Sequence, residues 1–173
     1  MTERPADGEY APFYAGYVKL VPEADVLPVL EAQASEIRRL ARSIPRGRET
    51  CRYGPGKWSI REIFGHIGDG ERVFGYRAFC ISRGDQGALP GFDENDYVAE
   101  SAYDQQTAAE LADDFARLRA ANLALLGHLD PARWARVGNA NGKPVSVRAL
   151  AFIMAGHVRH HLGVLKTRYG VTA

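Results

Sequence analysis

Apolar residues return at steps of three and four in four separate stretches of this chain, and no stretch shows sustained apolar–polar alternation between turn signals. Steps of three and four keep side chains on one face of a helix, whereas a strand needs a step of two. The pattern therefore confines the chain to an all-α fold whose apolar stripes must be buried against one another. In the first stretch, about 23–44, the stripe is Leu27, Leu30, Ala34, Ile37, Ala41 and Ile44, and Pro45 and Gly47 then stop it. The second, about 59–83, opens on Ser59 and Glu62, the S-x-x-E pair that satisfies two free backbone N–H groups reciprocally, with Trp58 and Ile63 placed to pack as a staple. It runs through Ile67, Phe74, Ala78 and Ile81 to Gly84, a residue suited to the left-handed conformation that ends many helices.

Thr107 and Glu110 repeat the capping pattern and open the third stretch, about 107–129, with Leu111, Phe115, Leu118, Leu125 and Leu129 on one face. Asn122 interrupts that face and is expected to bond to a neighbouring helix. Ser146 caps the fourth, about 146–168, where Leu150, Met154, His157, His161, Val164 and Arg168 share a stripe, with Val145 and Leu150 as its staple. Between the second and third stretches lie residues 84–106, rich in Gly, Pro and acids and without a helical stripe. Such a long connection suits a crossover from one end of a four-helix bundle to the other. Residues 130–145 read as a turn-rich loop.

A chain of 173 residues is the size of one domain, taken here as 1–173. With 46% apolar and 25% charged residues it is neither disordered nor a membrane protein, and no apolar run approaches the roughly 20 residues that span a bilayer. The opening MTERPADGEYAPFY has no basic segment followed by an apolar run, so a cytoplasmic location is expected. A net charge of +1 with scattered arginines implies no nucleic-acid partner. Cys51 and Cys80 have no paired spacing and read as reduced packing residues.

The chemistry is concentrated in the histidines. Of His66, His128, His157, His160 and His161, three stand within five positions of the fourth stretch. His157 and His161, four apart, lie one turn from each other on one face, where both imidazoles can reach a single ion. His160 points away from that stripe, and His128 suits an exposed position near a helix end. His66, beside Ile63 and Ile67 on the second stretch, is the candidate third ligand from a facing helix. Read from spacing alone, these residues fit hydrogen-bonded core histidines as well as a metal site. Val158 occupies the position where the HExxH proteases carry Glu, which argues against that class.

Three segments together resemble the DinB-like superfamily, and within it the YfiT-like group of metal-dependent hydrolases: KWSIREIFGHIGDGERVFGYRA at 57–78, LPGFDENDYV at 89–98, and VSVRALAFIMAGHVRHHLGVLKTRYG at 145–170. The resemblance extends from Tyr14 to Gly170. It implies a four-helix bundle with a long crossover between the second and third helices, and a metal triad of His66, His157 and His161. It also implies thiol-dependent S-transfer or hydrolysis on a small-molecule substrate, with a low-molecular-weight thiol as co-substrate, and a homodimer.

Three imidazoles would hold one divalent transition-metal ion, zinc or nickel above others, and leave a coordination position for a water or thiol. Two further side chains are candidates for the chemistry. Asp69, three positions after His66, is placed to take a proton or to remain a solvated carboxylate, and Arg77, eleven after it, to bind a substrate carboxylate or to pair with an acid of 93–96. The alternative is a non-catalytic metal-binding stress-response scaffold, in which the ion ties two helices together.

Overall fold

The computed structural model describes residues 3–172; Met1, Thr2 and Ala173 of the expected 1–173 unit lie outside them. Four long helices dominate: α2 (Leu27–Ser43), α3 (Ile60–Ser82), α5 (Ala108–Leu126) and α7 (Val147–Tyr169). The shorter helices are α1 (Ala15–Lys19), α4 (Glu94–Ala99) and α6 (Pro131–Trp134). Both capping boxes form at the expected residues. The Ser59 hydroxyl accepts the Glu62 N–H while the Glu62 carboxylate accepts the Ser59 N–H, and Thr107 and Glu110 do the same. Ser146 caps α7 through the Ala149 N–H, and Gly84 follows α3 with a φ of +87°.

Helix α2 packs on α5 and α7, and α3 packs on the same two, so the order around the bundle is α2, α5, α3, α7. Helices α2 and α3, consecutive in the chain, thus face each other across a diagonal. The crossover from α3 to α5 holds more structure than its sequence suggests. Asp93 caps α4 by accepting the Asn95 and Asp96 N–H groups, and a single 3-10 turn at Tyr103–Gln105 leads into α5.

Residues 130–145, read from sequence as a loop, are mostly ordered elements. After α6 come strands β2 (Val137–Ala140) and β3 (Lys143–Ser146), paired antiparallel with Ala140 opposite Lys143, and β1 (Ala88–Leu89) adds in parallel to β2. The physical signal is the Asn141-Gly142 pair, with φ of +54° and +71°. Two positive φ values make the turn whose twist matches a two-residue hairpin. The strands are too short and too polar to show an alternation, and Pro144 is tolerated because β3 is an edge strand.

The core is divided. One apolar cluster includes Leu30, Phe74, Leu126 and the α7 run up to Ala155, while the other includes Ile37, Ile67, Phe115 and Val158. A polar layer lies between them at one level of all four helices. Arg119 of α5 gives two hydrogen bonds to the Glu71 carboxylate of α3, each 2.8 Å, and others to the Leu30 carbonyl and the Gln33 side chain of α2. Gln33 donates to the Ala155 carbonyl of α7 at 2.8 Å, and Asn122 donates to Glu71, the interhelical bond its sequence position suggests. Among the described residues no helix is long and apolar enough to cross a membrane.

Candidate metal centre

His66 projects from the buried face of α3, and His157 and His161 from one face of α7, adjacent to the polar layer. All three are buried, at 5%, 4% and 7% exposure. The His157 Nε2 lies 2.9 Å from the His66 Nε2 and 3.1 Å from the His161 Nε2. Two residues four apart on a helix and one from the facing helix thus aim their outer nitrogens at a common point.

Close nitrogens alone do not make a metal site, since neutral imidazoles also hydrogen-bond to one another. Here that explanation falls short at His157. A ring nitrogen has either one in-plane lone pair or one N–H. It cannot serve two neighbours in line, yet His157 Nε2 has two within hydrogen-bonding distance. An ion at the common point would take all three lone pairs at once. Zinc–imidazole bonds of about 2.0–2.1 Å in a tetrahedral arrangement place the nitrogens roughly 3.3 Å apart, a few tenths wider than the two His157 separations, and all three ligand nitrogens lie within 4.8 Å of one another. The donor set therefore fits a divalent transition metal.

Burial also prepares the ligands. It lowers the pKa of His66 to about 4, with a smaller contribution from the charge of His160. Burial pushes His157 and His161 well below the usual histidine range, followed by the neighbouring imidazoles. Neutral rings offer the lone pairs that metal binding needs.

The surroundings are aromatic. Trp58, just before the α3 cap, lies over His66 with ring centroids 4.6 Å apart, and Tyr17 of α1 meets His157 edge-on at 5.6 Å. Phe74 is 5.7 Å from His157. Two glycines make this packing possible: a Cβ on Gly70 would stand 2.6 Å from the His157 ring, and one on Gly156 only 2.0 Å from the Tyr17 carbonyl oxygen. The first leaves room for the ligand, and the second lets α1 lie directly on α7.

The triad closes one end of a cavity of about 510 Å³, whose walls include Tyr14, Tyr17, Phe74 and Phe92, with Arg77, Glu94 and Lys143 also bordering it. A smaller cavity of about 230 Å³, lined in part by Tyr53, Lys57 and Tyr169, shares Trp58, His160 and His161 with the first. His160 is exposed and borders both, its ring edge-on to His161 at 4.9 Å. His128 is exposed beyond the end of α5.

Asp69 does not border either cavity; its carboxylate accepts the Tyr103 hydroxyl on the crossover side of α3. Arg77 does border the larger one, and it pairs with no acid of 93–96; it donates to the Pro90 carbonyl at 2.7 Å. Sequence reasoning found the histidines but not Tyr17, Phe92 or Lys143 as walls. Tyr17 sits on a five-residue helix too short to show periodicity, and the other two reach the cavity through the crossover and the hairpin.

A model of the DinB superfamily matches residues 30–165, which include all three histidines. No curated protein matches the chain. Among solved structures, YfiT from Bacillus subtilis superposes with a TM-score of 0.76 at 15% identity, over 99% of this chain and 95% of that one. YfiT is described as a probable metal-dependent hydrolase with an unusual four-helix bundle topology. The likeness shows that fold for this chain as well.

Proposed function

We propose that this chain, which belongs to the DinB superfamily, is a metal-dependent enzyme that binds one divalent ion, zinc or nickel, through His66, His157 and His161 and transfers a small thiol to an electrophilic small molecule. The observation that carries this reading is the convergence of three buried imidazole nitrogens at the closed end of a large cavity. An ion held by neutral imidazoles keeps its full charge and acidifies a water or thiol brought to it.

The chain's own residues supply the rest. His66, His157 and His161 are kept neutral by burial, and Trp58, Tyr17 and Phe74, which wall the cavity beside them, pack against their rings. His160, exposed where the two cavities meet, is placed to accept the proton that an incoming thiol gives up and to pass it to the group that the sulfur displaces from the electrophile. The two cavities favour S-transfer over the hydrolysis suggested by YfiT, because a second organic reactant needs its own space and a water does not.

Elemental analysis of protein purified without an affinity resin tests the metal. The expected result is close to one equivalent in the parent and loss in His157→Ala; equal trace metal in both would overturn the reading. Cobalt-loaded protein then tests catalysis, since an added thiol should change its visible spectrum if a coordination position is open. An unresponsive spectrum would support a metal-binding scaffold instead.

A further inference from the structure

Two arginines are buried among the described residues, Arg77 at 3% exposure and Arg119 at 0%, and the fold provides for them very differently. Arg119 is saturated by a two-point Glu71 carboxylate, a carbonyl and an amide oxygen. Arg77 donates one hydrogen bond, to the Pro90 carbonyl, and lies over the Phe74 ring with its guanidinium carbon 5.9 Å from the centroid. It forms no ion pair among the described residues. A guanidinium carries five N–H donors and stays charged at any working pH, and burying such a charge without an anion is costly. None of its nitrogens is sealed off without a partner, so the remaining donors reach open space, and Arg77 borders both the triad cavity and a separate one of about 230 Å³ beside Tyr76 and Pro90.

From this contrast we infer that Arg77 is the anion-binding end of the substrate site, and that the substrate is a small carboxylate with an aromatic or apolar body. This deepens the proposed function and rests on it for what happens at the other end. The guanidinium and the triad are separated by one ring, since Phe74 contacts both His157 and Arg77. A substrate that places its carboxylate on Arg77 lays its apolar body along Phe74, Tyr14 and Phe92 and brings its far end to the histidines. The charges bordering the cavity agree: Arg77 and Lys143 face Glu94 alone, and Glu94 makes no salt bridge to either. A planar, two-point guanidinium is also the side chain best matched to a carboxylate.

The probe is 4-phenylbutanoate, compared with its uncharged amide by calorimetry on the metal-loaded protein. The acid should bind at least tenfold more tightly than the amide, and Arg77→Gln should bring the acid down to the amide's level without changing metal content. Equal binding of acid and amide to the parent would overturn the inference without any variant. So would undiminished acid binding by Arg77→Gln, the result expected if the carboxylate sits on the metal. Orientation is read from proton relaxation of the probe in cobalt-loaded protein. The phenyl protons should relax faster than the methylene beside the carboxylate, and the reverse order, or no enhancement, would reject this pose. If the protein takes up no metal yet keeps the acid preference and its loss in Arg77→Gln, the proposed reaction fails while the anion site stands.

Discussion

Gly70 carries a hydrogen where any other residue would put a carbon 2.6 Å from the His157 ring, one turn of α3 away from His66. Gly70→Ala is therefore expected to keep the helix, whose propensity it improves, and to push a ligand off the common point. Metal titration should show at least tenfold weaker binding with an unchanged helical circular-dichroism signal. Residue-scale electrostatics gives a second expectation. His66 binds its proton with a pKa of about 4 when folded against 6.5 in the unfolded chain. The unfolded state thus holds more protons between those values, and stability falls as pH drops through the window. For the metal-free protein the loss from His66 alone is about 3 kcal/mol, complete by about pH 4 and absent above pH 7. Urea midpoints measured at pH 7, 5.5 and 4.5 should decline in that order, and should decline less in His66→Gln.

At the level of elements, the seating of α1 on α7 sets Tyr17 against His157 and on the cavity wall. The atom opposite Gly156 is a backbone carbonyl, which cannot rotate aside as a side chain could. Gly156→Val should lift α1 and raise amide hydrogen exchange over residues 12–20, with α3 exchange unchanged. Features like this mark where the sequence ceased to be readable. The capping boxes at Ser59 and Thr107 and the His157–His161 pair were legible because each depends on residues within one turn. The four long helices were legible because their stripes repeat over many turns. Helix α1 depends on a glycine far along the chain, and the hairpin depends on two residues, Asn141 and Gly142, whose signal was outweighed by short polar strands. Arg77 was visible as a candidate for a carboxylate, but only packing shows that no acid among the described residues pairs with it.

Across the whole molecule, the Arg119–Glu71 pair joins α3 and α5 and, through Gln33, extends to α2 and α7. Removing one member leaves an unpaired buried charge, which costs about 3–5 kcal/mol, whereas replacing both by apolar residues is far less costly. Arg119→Met and Glu71→Leu should each lower stability by that amount in urea unfolding, and the double variant should be more stable than either. Such a result would mean that the layer fixes which helices meet at which height more than it strengthens the bundle. The same layer parts two greasy halves, each with its own packing. Because the histidines stand beside that seam, an ion held by them would act as a clasp between the halves. Loading it should suppress slow hydrogen exchange at both ends of the molecule together, and removing it should let them breathe separately.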